Sequence, residues 1–163
     1  MEAARGGERI LELPDGRRLT VKIPEGVNSG SKIKLSGQGD SGAGGGPSGD
    51  LLLTLEVSEH PFFIREGHDI LVRLPVTFSE AVLGGEVDVP TLDGKVHMKI
   101  PKGVSSGQRL KLAGKGVKSA KTGKRGDQFV ELLIKLPKEP TAQYVECAEK
   151  LKSNSFNPRQ GIF

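Results

Sequence analysis

Ile23-Pro24-Glu25-Gly26-Val27-Asn28-Ser29-Gly30 and Ile100-Pro101-Lys102-Gly103-Val104-Ser105-Ser106-Gly107 are one phrase written twice, and the match extends in both directions from it. Upstream, Glu2-Ala3-Ala4-Arg5-Gly6-Gly7 answers to Glu80-Ala81-Val82-Leu83-Gly84-Gly85, and Leu13-Pro14-Asp15-Gly16 to Leu92-Asp93-Gly94, with one residue lost before the phrase itself. Downstream, Lys34-Leu35-Ser36-Gly37-Gln38-Gly39 pairs with Lys111-Leu112-Ala113-Gly114-Lys115-Gly116, and Gly49-Asp50-Leu51-Leu52-Leu53 with Gly126-Asp127-Gln128-Phe129-Val130. A repeat of this extent means two copies of one fold, so the 163 residues divide into two small units. Units of about 60 residues have marginal cores on their own, and each is expected to lean on its neighbour or on a partner chain.

Each copy reads as β. Leu19, Val21 and Ile23 alternate with polar residues, as do Leu51, Leu53, Leu55 and Val57. Period two is the mark of strands with one buried face. The second copy repeats it with Val96, Met98 and Ile100 and with Val130, Leu132 and Ile134. Asp15-Gly16 and Asp93-Gly94 supply the positive φ that tight hairpins need, and Pro24 and Pro101 end their strands for want of an N–H donor. Ahead of the tail, a short helical turn is expected only where Ser79 caps Glu80 to Leu83 and Gly84 stops it. From Thr141 to about Lys152, Tyr144, Ala148 and Leu151 fall at i, i+4, i+7 and form one apolar stripe on a polar helix. The second copy opens with an alternating strand, Asp69 to Phe78, that the first lacks. The chain is therefore expected to be a piece of a longer one, with an uncovered edge on its first sheet. The fold class is mostly β: two tandem repeated β-sandwich-like domains with short helical turns, then a C-terminal dimerisation helix.

Between the copies runs His60-Pro61-Phe62-Phe63-Ile64-Arg65-Glu66-Gly67-His68-Asp69-Ile70. With its flanking I-P-x-G-V-x-x-G and L-x-G-x-G pairs, it resembles the connector between the two C-terminal domains of J-proteins, the DnaJ family of co-chaperones. The cysteine repeats that bind zinc in type-A members are absent, so the chain resembles the zinc-free type B. Phe156-Asn157-Pro158-Arg159 is also similar to the ending of bacterial curved-DNA-binding members. No J-domain is present, and His60-Pro61-Phe62 lacks the carboxylate of the H-P-D tripeptide, so this stretch alone is not expected to stimulate ATP hydrolysis.

The resemblance implies that residues 1–57 form C-terminal domain I, the client-binding unit without its first strand. It makes 58–68 the connector, 69–137 C-terminal domain II, and 138–163 the dimerisation helix and tail. It further implies that unfolded client protein lies along a groove walled by the strand after Gly6-Gly7. Leu11, Leu13 and Leu53 are the expected apolar contacts, and Arg9 is expected to pair with the acidic tail of a 70-kDa heat-shock chaperone. Tyr144, Ala148 and Leu151 would clasp a homodimer.

Other chemistries fare worse. Gly103-Val104-Ser105-Ser106-Gly107 spells the G-x-S-x-G of hydrolases, yet a strand follows where the nucleophile elbow requires a helix, and the first copy has Asn28 in place of Ser105. Gly37-Gln38-Gly39-Asp40-Ser41-Gly42 spells G-x-G-x-x-G, but Ala43-Gly44-Gly45-Gly46-Pro47 cannot open the helix that a dinucleotide site needs, so a glycine-rich loop is expected. Lys121-Thr122 lacks the glycine of a phosphate loop, since Ala120 precedes the lysine. His60, His68 and His97 share no metal-ligand spacing. Neither enzyme activity, cofactor nor metal is expected. Cys147 is the only cysteine, read as a small semi-buried helix residue in a reducing compartment.

No apolar run approaches the ~20 residues that span a bilayer, and Met1-Glu2-Ala3-Ala4-Arg5 is no secretory signal; a cytoplasmic location is the expectation, with no membrane partner. Charge is segregated: Lys95 to Arg125 contains ten Lys or Arg and no Asp or Glu. This leaves open a reading from another class, a nucleoid-associated DNA-binding module with Lys115, Lys118, Lys121, Lys124 and Arg125 as contacts. Without interleaved aromatics, such binding would be electrostatic and salt-sensitive.

Overall fold

The computed structural model describes residues 2–40, 42, 46–119, 122–152 and 156–161. The first repeat contains α1 (Glu2–Arg5), β1 (Gly7–Glu12), β2 (Arg18–Ile23), β3 (Lys32–Leu35) and β4 (Leu51–Thr54). After β5 (Phe63–Glu66) in the connector, the second contains β6 (Asp69–Thr77), α2 (Phe78–Leu83), β7 (Gly85–Thr91), β8 (Gly94–Ile100), β9 (Arg109–Leu112) and β10 (Gln128–Lys135). The C-terminal helix is α3 (Ala142–Leu151). The protein is mostly β, as its alternating residues require.

Each repeat is built from antiparallel hairpins, β1-β2 and β3-β4 in the first, β7-β8 and β9-β10 in the second. The copies agree to the level of single hydrogen bonds. Gly30 N–H donates to Leu55 O at 2.7 Å, and Gly107 N–H to Leu132 O at 2.7 Å. Val57 N–H donates to Ser29 Oγ at 3.2 Å and Ile134 N–H to Ser106 Oγ at 3.2 Å. Gly37 N–H reaches the Asp50 carboxylate at 3.0 Å and Gly114 N–H that of Asp127 at 2.8 Å. Ser29 and Ser106 thus serve as turn acceptors, and Ser105, in the place of Asn28, joins the turn through its backbone, its N–H donating to Gln108 Oε1 at 3.3 Å and its carbonyl accepting Gln108 N–H at 3.1 Å. Part of the glycine-rich loop, at 41 and 43–45, lies outside the described residues.

The repeats differ at one place. In the second, β6 lies parallel to β10 over eight register pairs, from Gln128↔Ile70 to Lys135↔Thr77, and the sheet runs β5-β6-β10-β9. In the first, β4 pairs with β3 alone. Lacking a second partner, β4 is assigned four residues against the eight of β10. The consequence for packing is large. Val76, Ala81, Val89, Met98, Ile100, Val104, Val130 and Leu132 form a buried core in the second repeat. Of their counterparts in the first (Ala3, Leu11, Val21, Ile23, Val27, Leu53 and Leu55), only Val21 is buried.

Two local readings need correction. The helical turn α2 is capped by Thr77, not Ser79: Thr77 Oγ1 accepts Glu80 N–H at 3.2 Å while the Glu80 carboxylate accepts Thr77 N–H at 2.7 Å. A capping box needs its glutamate at the third helical position, and that spacing selects Thr77. Nor is the turn confined to the second repeat, since α1 stands in the matching place before Gly6.

The connector holds the repeats together. Arg65 donates to the carbonyls of Val27 at 2.6 Å and Gly26 at 2.8 Å in the first repeat, and to Gly67 O at 2.9 Å on its own side. Gly26 has φ +79°, and a Cβ there would strike the carbonyl of Lys118, so the two repeats touch backbone to backbone at this point. A second apolar cluster of Ile70, Val72, Leu92 and Val117 also takes in Phe63 of the connector and Ala4 of the first repeat.

Candidate functional site

The uncovered side of the first repeat is an opening of about 240 Å³ lined by Ile23, Val27, Leu55 and Val57, with Glu2, Ala3 and Arg9 at its rim. In the second repeat the matching Ile100, Val104, Leu132 and Ile134 pack against Leu74 and Val76 from β6. The opening thus lies at the positions that β6 covers in the second repeat. Alternation from the same hairpins builds both; what differs is whether a plug is present.

Leu11 lies half-buried opposite Leu19 in the β1-β2 ladder, and Leu53 half-buried opposite Ile33 in β3-β4. Leu13, just past β1, is also half-buried. All three belong to the partly covered face of the repeat, but the opening itself is lined by Ile23, Val27, Leu55 and Val57, which sequence reasoning did not nominate. The signal was present: each matches a buried or packed residue of the second repeat. Arg9 is exposed, and its guanidinium already holds the Glu2 carboxylate at 2.6 and 2.9 Å.

At the other end, Tyr144, Ala148 and Leu151 of α3 do come together, lining a cavity of about 490 Å³ with Leu136, Pro137 and Phe78. Helix α3 buries none of its residues. Cys147 is accordingly exposed rather than semi-buried.

Part of the basic stretch is paired with acids from elsewhere in the fold. Lys115 and Arg125 both approach the Asp93 carboxylate, at 3.6 and 2.8 Å, and Lys118 approaches Glu25 at 3.4 Å. The hydrogen bond from Arg125 holds the Asp93 carboxyl below its ordinary range. Lys111 does the same for Asp127, as Lys34 does for the matching Asp50. Lys124 is exposed and Lys121 lies outside the described residues. Folding thus pairs part of the run, while Lys95, Lys99, Lys102 and Lys124 stand exposed. Among the described residues no helix is long and apolar enough to cross a membrane.

Comparison with known proteins agrees with this architecture. The DnaJ C terminal domain family matches residues 1–137, both repeats and the connector. The chain is 43% identical over 163 residues to Chaperone protein DnaJ 2 of Synechocystis sp., covering 99% of this chain and 51% of that one. It is 44% identical over 135 residues to Chaperone protein DnaJ of Roseiflexus sp., covering 83% of this chain and 36% of that one. It thus spans about half or less of the length of these relatives. A match running unbroken through both copies and the segment that joins them covers the whole duplicated scaffold, and the chain belongs to the DnaJ C-terminal domain family.

Proposed function

We propose that this chain is the client-binding part of a J-protein co-chaperone, holding extended polypeptide in its first repeat and passing it to a 70-kDa heat-shock chaperone in the cytoplasm. What supports this reading is the family match through both repeats, together with the half-buried leucines that the hairpins of the first repeat present, Leu11, Leu13 and Leu53. A sheet edge offers main-chain hydrogen bonds to any sequence, and apolar pockets beside it select alternate side chains; this is β-augmentation. Residues 1–57 then form the binding domain, 58–68 the connector and 69–137 a second domain acting as a rigid spacer. Nothing in this mode of binding asks for a reacting group, and the chain is no enzyme on this reading.

Leu11, Leu13 and Leu53 give the binding face its apolar character. Arg9 stands at the rim, where an acidic tail of the partner chaperone would displace Glu2 from its guanidinium. Replacing Leu11 and Leu13 together with Ser is expected to abolish suppression of aggregation of a chemically unfolded reporter, while the unfolding transition of the second repeat stays where it was. Undiminished suppression would put the binding face elsewhere.

Helix α3 with residues 138–163 serves as the dimer clasp in this reading, through Tyr144, Ala148 and Leu151. Two binding repeats on one dimer hold a client by avidity, with an effective concentration up to the ~mM range, so each site can stay weak and release easily. Deleting residues 141–163 is expected to halve the mass measured by light scattering. An unchanged mass refutes the clasp.

A further inference from the structure

We propose that His60 is a proton-sensitive latch on the turn that opens β5. Neutral, its ring holds the turn closed through Nδ1; protonated, it releases the turn and loosens Phe63, while Arg65 keeps the repeats joined. The proposal concerns the connector alone and does not depend on where a client binds.

The geometry is that of a side chain capping its own turn. His60 Nδ1 accepts two backbone N–H groups, that of Phe62 at 3.2 Å and that of Phe63 at 3.3 Å. Two donors aimed at one ring nitrogen fix both the orientation and the charge of the ring. Only a neutral imidazole with its proton on Nε2 has a lone pair at Nδ1; an imidazolium carries a proton there and can only donate. A third N–H at that point would face two others, so the ring must turn away when it takes a second proton. Imidazole is the side chain whose ordinary change of charge falls between pH 5 and 8, which puts this event within reach of a mild acid shift.

Nothing facing the ring offers the proton a new partner. Ala3 and Ala4 of α1, Ile70 of β6 and Leu92 in the turn between β7 and β8 line the same cavity as His60, and none carries charge. The charged groups beside it are Glu59, its exposed chain neighbour, and Arg65, whose guanidinium is taken up by the carbonyls of Gly26, Val27 and Gly67. Among the described residues no carboxylate forms an ion pair with His60. His97 is placed otherwise: its Nδ1 meets the Asp88 carboxylate, a contact that survives protonation.

The turn matters because of what it delivers. The His60 ring lies on that of Phe63, with centroids 4.9 Å apart, and Phe63 packs against the apolar cluster that also takes in Ala4 of the first repeat. Pro61 fixes the backbone between the ring and the amides it accepts. The place matching His60 after the second repeat is Pro137, which has no side-chain acceptor, so the latch belongs to the connector and not to the duplicated fold.

The test is amide exchange in the whole chain, followed residue by residue from pH 8 to pH 5 and divided by the rate of an unstructured peptide at each pH. Protection of the Phe62 and Phe63 amides should fall about five- to tenfold on acidification, the worth of long bonds sharing one acceptor. The Leu132 amide, which donates to Gln108 O at 2.9 Å in the second repeat, should keep its protection throughout. In His60→Asn the side-chain oxygen stands where Nδ1 stood and cannot titrate, so protection should persist at both ends of the range. In His60→Gln the oxygen falls near the place of Nε2, and protection should be low at every pH. Parent protection that does not change with pH, a fall shared by Leu132, or a His60→Asn variant that still shows the fall would each overturn the proposal.

Discussion

Replacing Leu132 with Ala is expected to cost the second repeat about 3–4 kcal/mol, whereas Leu55→Ala, the same change at the matching position of the first, should cost about 1 kcal/mol. Leu132 is fully buried and surrounded by the core that β6 closes. Deleting its side chain loses both the transfer energy and the contacts around the cavity left behind. Leu55 already borders an opening, so the atoms removed were partly in contact with water and leave little new void. Urea unfolding followed by amide exchange in each repeat measures the two separately. Equal losses would mean that the first repeat is packed as tightly as the second and that its opening is closed in solution. A loss of about 3–4 kcal/mol is a large part of the ~5–15 kcal/mol that keeps an ordinary domain folded, so Leu132→Ala should bring the second repeat close to unfolding at moderate temperature.

The second large effect is expected from the smallest possible change. Gly126→Ala should destabilise the second repeat by about 2–3 kcal/mol, while Gly49→Ala stays within about 0.5 kcal/mol of the parent chain. Neither glycine has a positive φ, so backbone strain does not distinguish them. What distinguishes them is the neighbour: the new methyl at Gly126 meets the His68 carbonyl, which belongs to backbone and cannot rotate away. The start of β6 must shift, stretching the hydrogen bonds that anchor it to Val117 and Asp127. Thermal melts of the two variants check this, and comparable losses would show that the cost arises within the glycine's own loop rather than from the strand beside it.

Much of the architecture was legible because it was written twice. One occurrence of Gly-Val-Ser-Ser-Gly suggests a hydrolase; two occurrences, with Asn28 standing for Ser105, point to a turn, and the paired bonds of Ser29 and Ser106 show what the turn does. The uncovered edge was legible for the same reason, from a strand present in one copy and missing in the other. Features that depend on residues distant in sequence were not. Nothing local tells that Lys115 and Arg125 converge on Asp93 from a different hairpin, so a run of positive charge looked barer than it is. Thr77 was overlooked as a cap because it also ends a strand, and strand pattern masked the spacing to Glu80. Cys147 was misplaced because one apolar stripe says which face of a helix seeks cover, not whether the same chain provides it. The lining of the opening was missed by attending to the first hairpin, although the second copy marks the matching positions as core.

Arg65 belongs with the features that local pattern hides, since its two carbonyl partners in the first repeat lie 38 and 39 residues away. Partial burial lowers its pKa from the ordinary arginine value, yet a guanidinium remains charged throughout the physiological range. A histidine in that place would let acidification alter the grip, and a lysine could not fork across two adjacent oxygens. With arginine, these two hydrogen bonds across the join persist when acidification would protonate the Glu25 carboxylate that faces Lys118 beside them.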